Sequence, residues 1–235
     1  RAYPLRILMY HEIVNDTLGG VPITVTYCPL CNSSIVFERR LDGRLLDFGT
    51  TGKLRNSDLV MYDRQTESWW QQFLGEAIVG EMTGKMLTML PSRLESLARF
   101  RARAPQGTVQ VPNNPRIRPY GRNPYVSYDS MSRPFLFRGD LPDGIEPMVR
   151  VVAVKNEAWS LPLLRDKGTI TQGDIEISWA EGQNSALDSG LIAEGRDVGN
   201  IVVQRRKGDT LEDVTHDVTF AFVFHAFRPD GVIHK

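Results

Sequence analysis

The sequence predicts a β-rich α+β fold built from two related β units, with a few short helices and a long proline-rich connector. Short runs in which apolar and polar residues alternate, separated by glycine, recur in both halves of the chain and are typical of strands. The second half also resembles the first, which indicates an internal duplication. We place the first β unit at 1–90, a helix and the connector at 91–148, and the second β unit at 149–235.

The amino-acid composition limits the classes of function and partner to be considered. The 235 residues are 41% hydrophobic, which is enough for a sizeable core. Lys plus Arg and Asp plus Glu number 28 each, so the total charge gives no reason to expect nucleic acid or an anionic membrane as a partner. No apolar run reaches the ~18 residues of a transmembrane helix, so we expect no membrane-spanning segment. The chain begins with Arg and no signal-peptide pattern follows, which indicates a processed protein or part of a longer one.

The first unit opens with a predicted helix. Apolar residues at helical spacing follow Pro4, a residue that suits the first turn of a helix, and Gly19 and Gly20 are expected to end the element. The alternating stretch "VPITVTY" then predicts a strand, the pair Cys28 and Cys31 a turn, and "SSIVFER" the returning strand.

Further strands follow in the first unit. Asp42 and Gly43 predict a hairpin turn, and the runs "DLVMYD" and "SWWQQF" predict two more strands. Neighbouring residues of a strand face opposite sides of the sheet, so we expect one of Trp69 and Trp70 to lie in the core.

A helix is predicted at 92–103, followed by the connector. Ser92 and Glu95 form a capping box at its start, and Pro105 follows its end. The connector, residues 105–148, contains eight of the 14 prolines. We expect it to be ordered, with its tyrosines and phenylalanines holding it to the surface.

The second unit is predicted to contain the strands "VRVVAVK", "DIEISWA", "NIVVQRR" and "VTFAFVFHAF". His225 alternates with apolar neighbours in the last run, so we expect it to be buried and hydrogen-bonded. Residues 22–35 align with 174–187 without a gap, and the two cysteines then fall opposite Ala180 and Gln183. The second copy makes the turn without sulfur, which favours a chemical role for the cysteines over a purely structural one.

The residues leave three hypotheses open for Cys28 and Cys31. A disulfide across two intervening residues closes a very short loop and therefore stabilises little. A redox pair needs a thiolate, usually stabilised at a helix N-terminus, whereas here a strand follows. Two thiolates with one imidazole form a ligand set that favours copper(I) or zinc. The metal hypothesis is preferred, with copper slightly ahead of zinc and His11 as the candidate third ligand.

A second candidate site lies in the loop at 48–58. Small and polar residues are concentrated there, and the candidate pocket residues are Arg55, Asn56, Ser57, Asp58 and Trp70. The glycines and lysine of the loop lack the spacing of a phosphate-binding loop, so no nucleotide cofactor is expected. No hydrolase or dinucleotide motif occurs, so catalytic residues are unassigned and the question of enzyme activity stays open.

The stretches "RAYPLRILMYHEIVND", "VTYCPLCNSSIVF" and "DFGTTGKLRNSDLVMYDRQTESWWQQ" resemble an uncharacterised family catalogued as domain of unknown function 3179. The resemblance implies an exported bacterial or archaeal protein with a signal peptide or lipid anchor upstream of residue 1. It therefore implies an extracytoplasmic location. The Cys-Pro-x-Cys pair of the family falls on Cys28 and Cys31, and its helix motif on His11 and Glu12. The family supplies no activity.

Together these observations predict an extracytoplasmic protein whose cysteine site, with His11, binds copper or zinc. Two alternatives remain: a thiol–disulfide redox protein, and a non-catalytic structural or binding subunit with a local disulfide. A protein partner or a homo-oligomer is also compatible with the sequence, because a metal half-site at a surface turn can be completed by a second chain.

Overall fold

The computed structural model describes residues 1–235 and is β-rich, with four α-helices of seven residues each. The helices are α1 (Leu5–His11), α2 (Leu97–Arg103), α3 (Leu161–Lys167) and α4 (Ala221–Phe227). The strands of the first half are β1 (Ile13–Leu18), β2 (Val21–Cys28), β3 (Ser33–Glu38), β4 (Arg40–Leu41), β5 (Arg44–Leu45), β6 (Phe48–Arg55), β7 (Asp58–Asp63), β8 (Trp69–Gln71), β9 (Glu76–Val79) and β10 (Thr88–Leu90). Those of the second half are β11 (Arg150–Val154), β12 (Glu157–Ser160), β13 (Thr169–Gln172), β14 (Ile175–Ala180), β15 (Asn200–Lys207), β16 (Thr210–Asp213), β17 (Asp217–Phe220) and β18 (Val232–His234).

Four sheets of four strands each form a ring that resembles a four-bladed propeller. Their strand orders are β1-β2-β3-β10, β6-β7-β8-β9, β17-β11-β12-β18 and β13-β14-β15-β16, and β4 and β5 form a separate hairpin. Neighbouring strands are antiparallel except β12 and β18, which are parallel. The apolar faces of the sheets are buried in cores formed where elements pack together, so the ring depends on the packing of the sheets against one another.

The main hydrophobic core contains 27 buried residues drawn from both halves of the chain. Among them Tyr27 and Trp70 come from the first half and Phe220 and Phe222 from the second, and all four are fully buried. Both cysteines belong to the same core. The cysteine turn therefore lies where the two halves meet, not at the surface of one of them.

The first helix ends earlier than the sequence predicted. α1 ends at His11, the next residue, Glu12, has a φ of 57°, and Ile13 begins β1. Gly19 and Gly20 do not end a helix but form the two-residue turn between β1 and β2, with φ values of 59° and 83°. Positive φ at both positions suits a hairpin turn that follows the twist of the strands.

The helix predicted at 92–103 begins later than expected, at Leu97. Its cap is Ser96, whose Oγ accepts a hydrogen bond from the backbone amide of Arg99 at 3.4 Å. The Ser96 amide in turn donates to Asn200 Oδ1 at 2.7 Å. This long-range contact holds the chain extended before the cap, so the capping box predicted at Ser92 does not form.

The run "VTFAFVFHAF" is a strand only in its first part. β17 ends at Phe220 and α4 occupies 221–227, where the sequence predicted a continuing strand. Most of α4 is buried, and a fully buried run has no polar face from which its period could be read. His225 is partly exposed, which contradicts the expectation that it is buried.

The segment between β10 and β11 contains α2 and one turn of 3-10 helix, Tyr128–Ser130, and is otherwise irregular. Two aromatic side chains attach it to the core: Tyr128 is buried, and the ring of Phe137 packs on Phe222 with centroids 5.0 Å apart. No helix of the protein is both long enough and apolar enough to cross a membrane.

Candidate metal centre

Three buried side chains converge at the junction of the first two sheets. Cys28 ends β2, Cys31 lies in the turn before β3, and Asp58 begins β7. One ligand atom from each lies within 4.8 Å of the other two, and each residue is at most 2% exposed. This group of two thiols and one carboxylate could hold a metal ion.

The cysteine turn is tight and locally hydrogen-bonded. Cys28 pairs with Ser33 across the β2–β3 hairpin, and the Cys31 amide donates to the Cys28 carbonyl at 3.2 Å. The Asn32 amide donates to the Pro29 carbonyl at 3.2 Å, and Asn32 has a φ of 51°, which asparagine tolerates better than most residues. The turn between strands that the sequence predicted is therefore confirmed. The same turn predicted for the aligned residues Ala180 and Gln183 does not form, because β14 ends at Ala180 and β15 begins only at Asn200.

Strand β17 fixes the same turn from the other half of the chain. The Cys31 carbonyl accepts hydrogen bonds from Thr219 Oγ1 at 2.8 Å and from the Phe220 amide at 3.2 Å. Asn32 Nδ2 donates to the Val218 carbonyl at 2.9 Å. These contacts join residues more than 180 positions apart, and they fix the position of the turn that carries the sulfurs.

A strained hairpin turn positions Asp58 beside the two cysteines. Arg55 pairs with Asp58, so Asn56 and Ser57 form a two-residue turn, with φ values of 52° and 64°. Turns of this kind favour glycine at the second position, and a serine there costs on the order of 1 kcal/mol. The turn places the Ser57 carbonyl 3.7 Å from the sulfur of Cys28 and 3.5 Å from that of Cys31, so that it accepts from both thiols.

One oxygen of Asp58 lacks a partner. Oδ2 accepts a hydrogen bond from the Phe73 amide at 2.9 Å and another from Gln71 Nε2. Oδ1 is buried and has no hydrogen-bond partner. Unpartnered buried oxygens are uncommon and costly, about 1–3 kcal/mol each, so an oxygen left free beside two thiols is a feature of a ligand site.

Burial controls the protonation of the cluster. It raises the pKa of Asp58 to about 6, against the lowering effect of the Phe73 and Gln71 donors and of the neighbouring Cys31 and Cys28 thiols. It also raises the pKa of the Cys28 thiol and, more strongly, that of the Cys31 thiol. The three groups therefore favour their neutral forms, and a bound cation would be needed to stabilise all of them in their ionised forms.

Comparison with known proteins gives a family but no activity. A family model described as "Protein of unknown function (DUF3179)" matches residues 1–231 of the 235. The chain belongs to this family. No curated protein and no solved structure matches it. Membership of DUF3179 confirms the resemblance drawn from the sequence, and the function has to be argued from the site itself.

His11, the predicted third ligand, lies outside the cluster of this DUF3179 protein. It is exposed at the end of α1, and its Nε2 is 2.7 Å from the hydroxyl of Tyr120. The neighbouring Glu12 is the more buried of the two, and its pKa is raised by burial and then by the charge of Asp58. Because the helix ends at His11, the imidazole remains at the surface, and Asp58 replaces it as the third group.

The five predicted pocket residues lie in different surroundings and do not line one pocket. Asp58 is a member of the cluster, and Ser57 contacts both thiols through its carbonyl. Asn56 forms the turn, and Arg55 is exposed, with its guanidinium 5.9 Å from the ring of Phe227.

Trp70, the fifth, is a core residue and is not available to stack on a ligand. Its ring is fully buried against Phe48, and its indole Nε1 donates to Asp63 Oδ2 at 2.9 Å. The expectation that one of the two tryptophans lies in the core is confirmed, because Trp69 is partly exposed.

Cys28 and Cys31 are free thiols, and their sulfurs are not at disulfide distance. The local disulfide considered from the sequence is therefore absent from this structure.

Proposed function

We propose that this DUF3179 protein binds one zinc ion through Cys28, Cys31 and Asp58. The observation that carries the proposal is the buried, unpartnered Oδ1 of Asp58 beside two free thiols. Zinc accepts thiolate and carboxylate ligands together, whereas magnesium and calcium prefer oxygen alone. Two thiolates and a carboxylate carry three negative charges, which a divalent cation largely compensates.

The dimensions of the cluster support zinc. In a tetrahedral site with zinc–sulfur distances of about 2.3 Å, the two sulfurs lie about 3.8 Å apart. The ligand atoms are already within 4.8 Å of one another, so small side-chain adjustments are sufficient. Three protein ligands leave a fourth position, as in zinc sites that keep a water or a substrate atom.

Copper(I) is the second candidate, and the burial of both sulfurs in the hydrophobic core favours it. Soft thiolates select copper(I), and a two-sulfur site has no need of a carboxylate. The two metals therefore make different demands on Asp58. Asp58→Asn is expected to weaken zinc binding strongly and to leave copper(I) binding by the sulfurs intact.

Metal content of the purified protein tests the proposal. The chain is purified under reducing conditions, and zinc and copper are quantified by mass spectrometry for the wild type and for Cys28→Ser/Cys31→Ser. One zinc per chain in the wild type and none in the double variant is the expected result. Equal amounts of metal in both proteins, or none in either, would refute it.

Asp63→Asn is the matched control. Asp63 is a buried aspartate at the other end of β7, bonded to Trp70 and Thr66 and outside the cluster. Its replacement should leave the zinc content unchanged, whereas Asp58→Asn should lower it.

The thiol–disulfide alternative has less support. A redox cysteine needs a thiolate in an accessible, electropositive setting. Both thiols are buried, and burial raises the pKa of each, so few thiolates are present near neutral pH.

An extracytoplasmic location is part of the proposal and rests on the resemblance to exported proteins. A bound zinc ion would also protect two neighbouring thiols from oxidation in such a compartment. Immunodetection in fractions of the native host tests the location, with cytoplasmic and exported marker proteins as controls. Recovery with the cytoplasmic marker would contradict it.

An internal duplication is also proposed, supported by the order of elements. Both α1 and α3 have seven residues and lead into a hairpin, β1–β2 and β13–β14 respectively. The alignment that pairs Leu5 with Leu161 places the first residues of the two helices opposite each other. A profile comparison of the two halves across DUF3179 sequences tests the idea, and a match no better than that of shuffled sequences would contradict it.

A further inference from the structure

The segment 111–138 concentrates the exposed apolar side chains of the protein. Sixteen large hydrophobic residues are exposed in the whole chain, and six of them belong to this segment. They are Val111, Ile117, Val126, Met131, Phe135 and Leu136. Single exposed apolar residues are ordinary, but such a concentration in one irregular segment is a sign of an interaction surface.

The same segment carries unpaired positive charge. It has five exposed arginines, and none of them forms an ion pair. They are Arg116, Arg118, Arg122, Arg133 and Arg138. The one acidic residue in the segment, Asp129, is buried and paired with Arg150 and Arg196. The neutral charge of the whole chain therefore conceals a locally basic surface.

The clearest part of this surface is the sequence "RPFLFR", residues 133–138. Phe135 is 54% and Leu136 62% exposed, and the φ of Leu136 is 56°, so the two apolar side chains lie at a tight bend between two arginines. The bend is held in place: the Phe135 carbonyl accepts a hydrogen bond from Ser57 Oγ at 2.6 Å, and Phe137 packs on Phe222. The exposure is therefore built into the fold.

We propose that residues 131–138 dock the protein onto an anionic phospholipid surface. Phe135, Leu136 and Met131 would enter the boundary between headgroups and acyl chains, while Arg133 and Arg138 bind lipid phosphates. Charge complementarity identifies the surface as anionic, because 111–138 has five exposed arginines and the first exposed carboxylate after it is Asp140.

A membrane fits this surface better than a protein partner does. Along the chain, the exposed apolar residues of 111–138 alternate with prolines and exposed arginines. A short bend with two protruding apolar groups and flanking cations can enter a fluid surface without a complementary pocket. The docking proposal does not rest on the proposed metal binding at the cysteine site.

Sedimentation with lipid vesicles tests the proposal on the full chain. We expect binding to vesicles of phosphatidylcholine mixed with phosphatidylglycerol, weakening as salt is added, and no binding to phosphatidylcholine alone. Phe135→Ser/Leu136→Ser should lower the partition coefficient at least about tenfold, because both side chains lose their apolar contact with lipid. Arg133→Gln/Arg138→Gln should lower it about fivefold for each arginine.

Lys155→Gln/Arg165→Gln is the charge-matched control. Both residues are exposed cations without an ion pair and lie outside the segment. This variant should bind the mixed vesicles as the wild type does. Circular dichroism confirms that each variant is folded, and the Ser57 contact survives in the tip variant because it uses the backbone carbonyl of Phe135.

Three results would overturn the proposal. One is the absence of binding to the mixed vesicles. Another is equal binding by the wild type and the tip variant. The third is salt-sensitive capture on immobilised polyglutamate without any vesicle binding, which would assign the surface to an acidic protein.

Discussion

Replacing Asp58 by Asn keeps the size of the side chain and removes its charge. In the metal-free protein, burial raises the pKa of Asp58 from the ordinary 3.8 to about 6. A pKa raised on folding means that the folded state holds its proton more tightly, so stability falls as pH rises through this window. At about 1.4 kcal/mol for each tenfold change in proton affinity, the ionised Asp58 destabilises the metal-free protein at pH 7 by about 3 kcal/mol.

Asp58→Asn should therefore raise the stability of the metal-free protein at pH 7 by up to about 3 kcal/mol. The asparagine oxygen can accept the hydrogen bonds that Phe73 and Gln71 donate to Asp58 Oδ2. When zinc is present, we expect the wild type to be more stable than Asp58→Asn. The wild type gains about 4 kcal/mol at a zinc concentration 1,000 times its Kd, and the variant gains much less.

The assay is urea unfolding at pH 7, with a chelator and then with zinc. The control is Asp63→Asn, which loses a bond to Trp70 and should be less stable in both conditions, with a zinc response like that of the wild type. A chelated Asp58→Asn protein that is less stable than the wild type and keeps the full zinc response would refute the reasoning.

Two further predictions concern buried carboxylates. Burial also raises the pKa of Asp217 to about 6, so the metal-free protein should lose stability as the pH rises from about 4 to 6. Asp217→Asn should make this loss smaller in urea unfolding measured across that range. An unchanged dependence of stability on pH would contradict the prediction. Asp129→Ala should destabilise the fold by about 3–5 kcal/mol, because it leaves Arg150 buried without its partner. Asp188→Ala removes a more exposed ion pair and should cost about 1 kcal/mol or less in the same assay. Equal losses of stability in the two variants would contradict the argument.

The cysteine turn was predictable because it is local. The alternation in β2 and β3 and the turn between them are encoded within residues 21–38, and neighbouring residues pair across the hairpin. The hairpin at Asp42 follows from a similarly short signal, whereas most of 48–58, predicted as a loop, forms strand β6. Family membership followed from three long motifs.

The third ligand was not predictable in the same way. Asp58 reaches the sulfurs because the sheet containing β7 packs against the sheet containing β2, and no periodicity in the sequence encodes that contact. His11 looked suitable by residue type and position, but its place depended on where α1 ends. The one local signal was the pair Asn56–Ser57 before Asp58, since a strained turn without glycine is a feature of functional sites.

Helix α4 was missed for a different reason. Its sequence is apolar except for His225, because most of the helix is buried in the core, so period 2 and period 3.6 could not be distinguished. The start of α2 was misplaced because Asn200, about 100 residues away, holds the chain before Ser96.

X-ray absorption at the zinc edge tests the central claim most directly. The protein is loaded with one equivalent of zinc, and the ligand shell is compared between the wild type and Asp58→Asn. The account predicts two sulfurs at about 2.3 Å and oxygen at about 2.0–2.2 Å in the wild type, with loss of an oxygen in the variant. A shell without sulfur, or a shell that Asp58→Asn leaves unchanged, would contradict the assignment of Cys28, Cys31 and Asp58 as ligands.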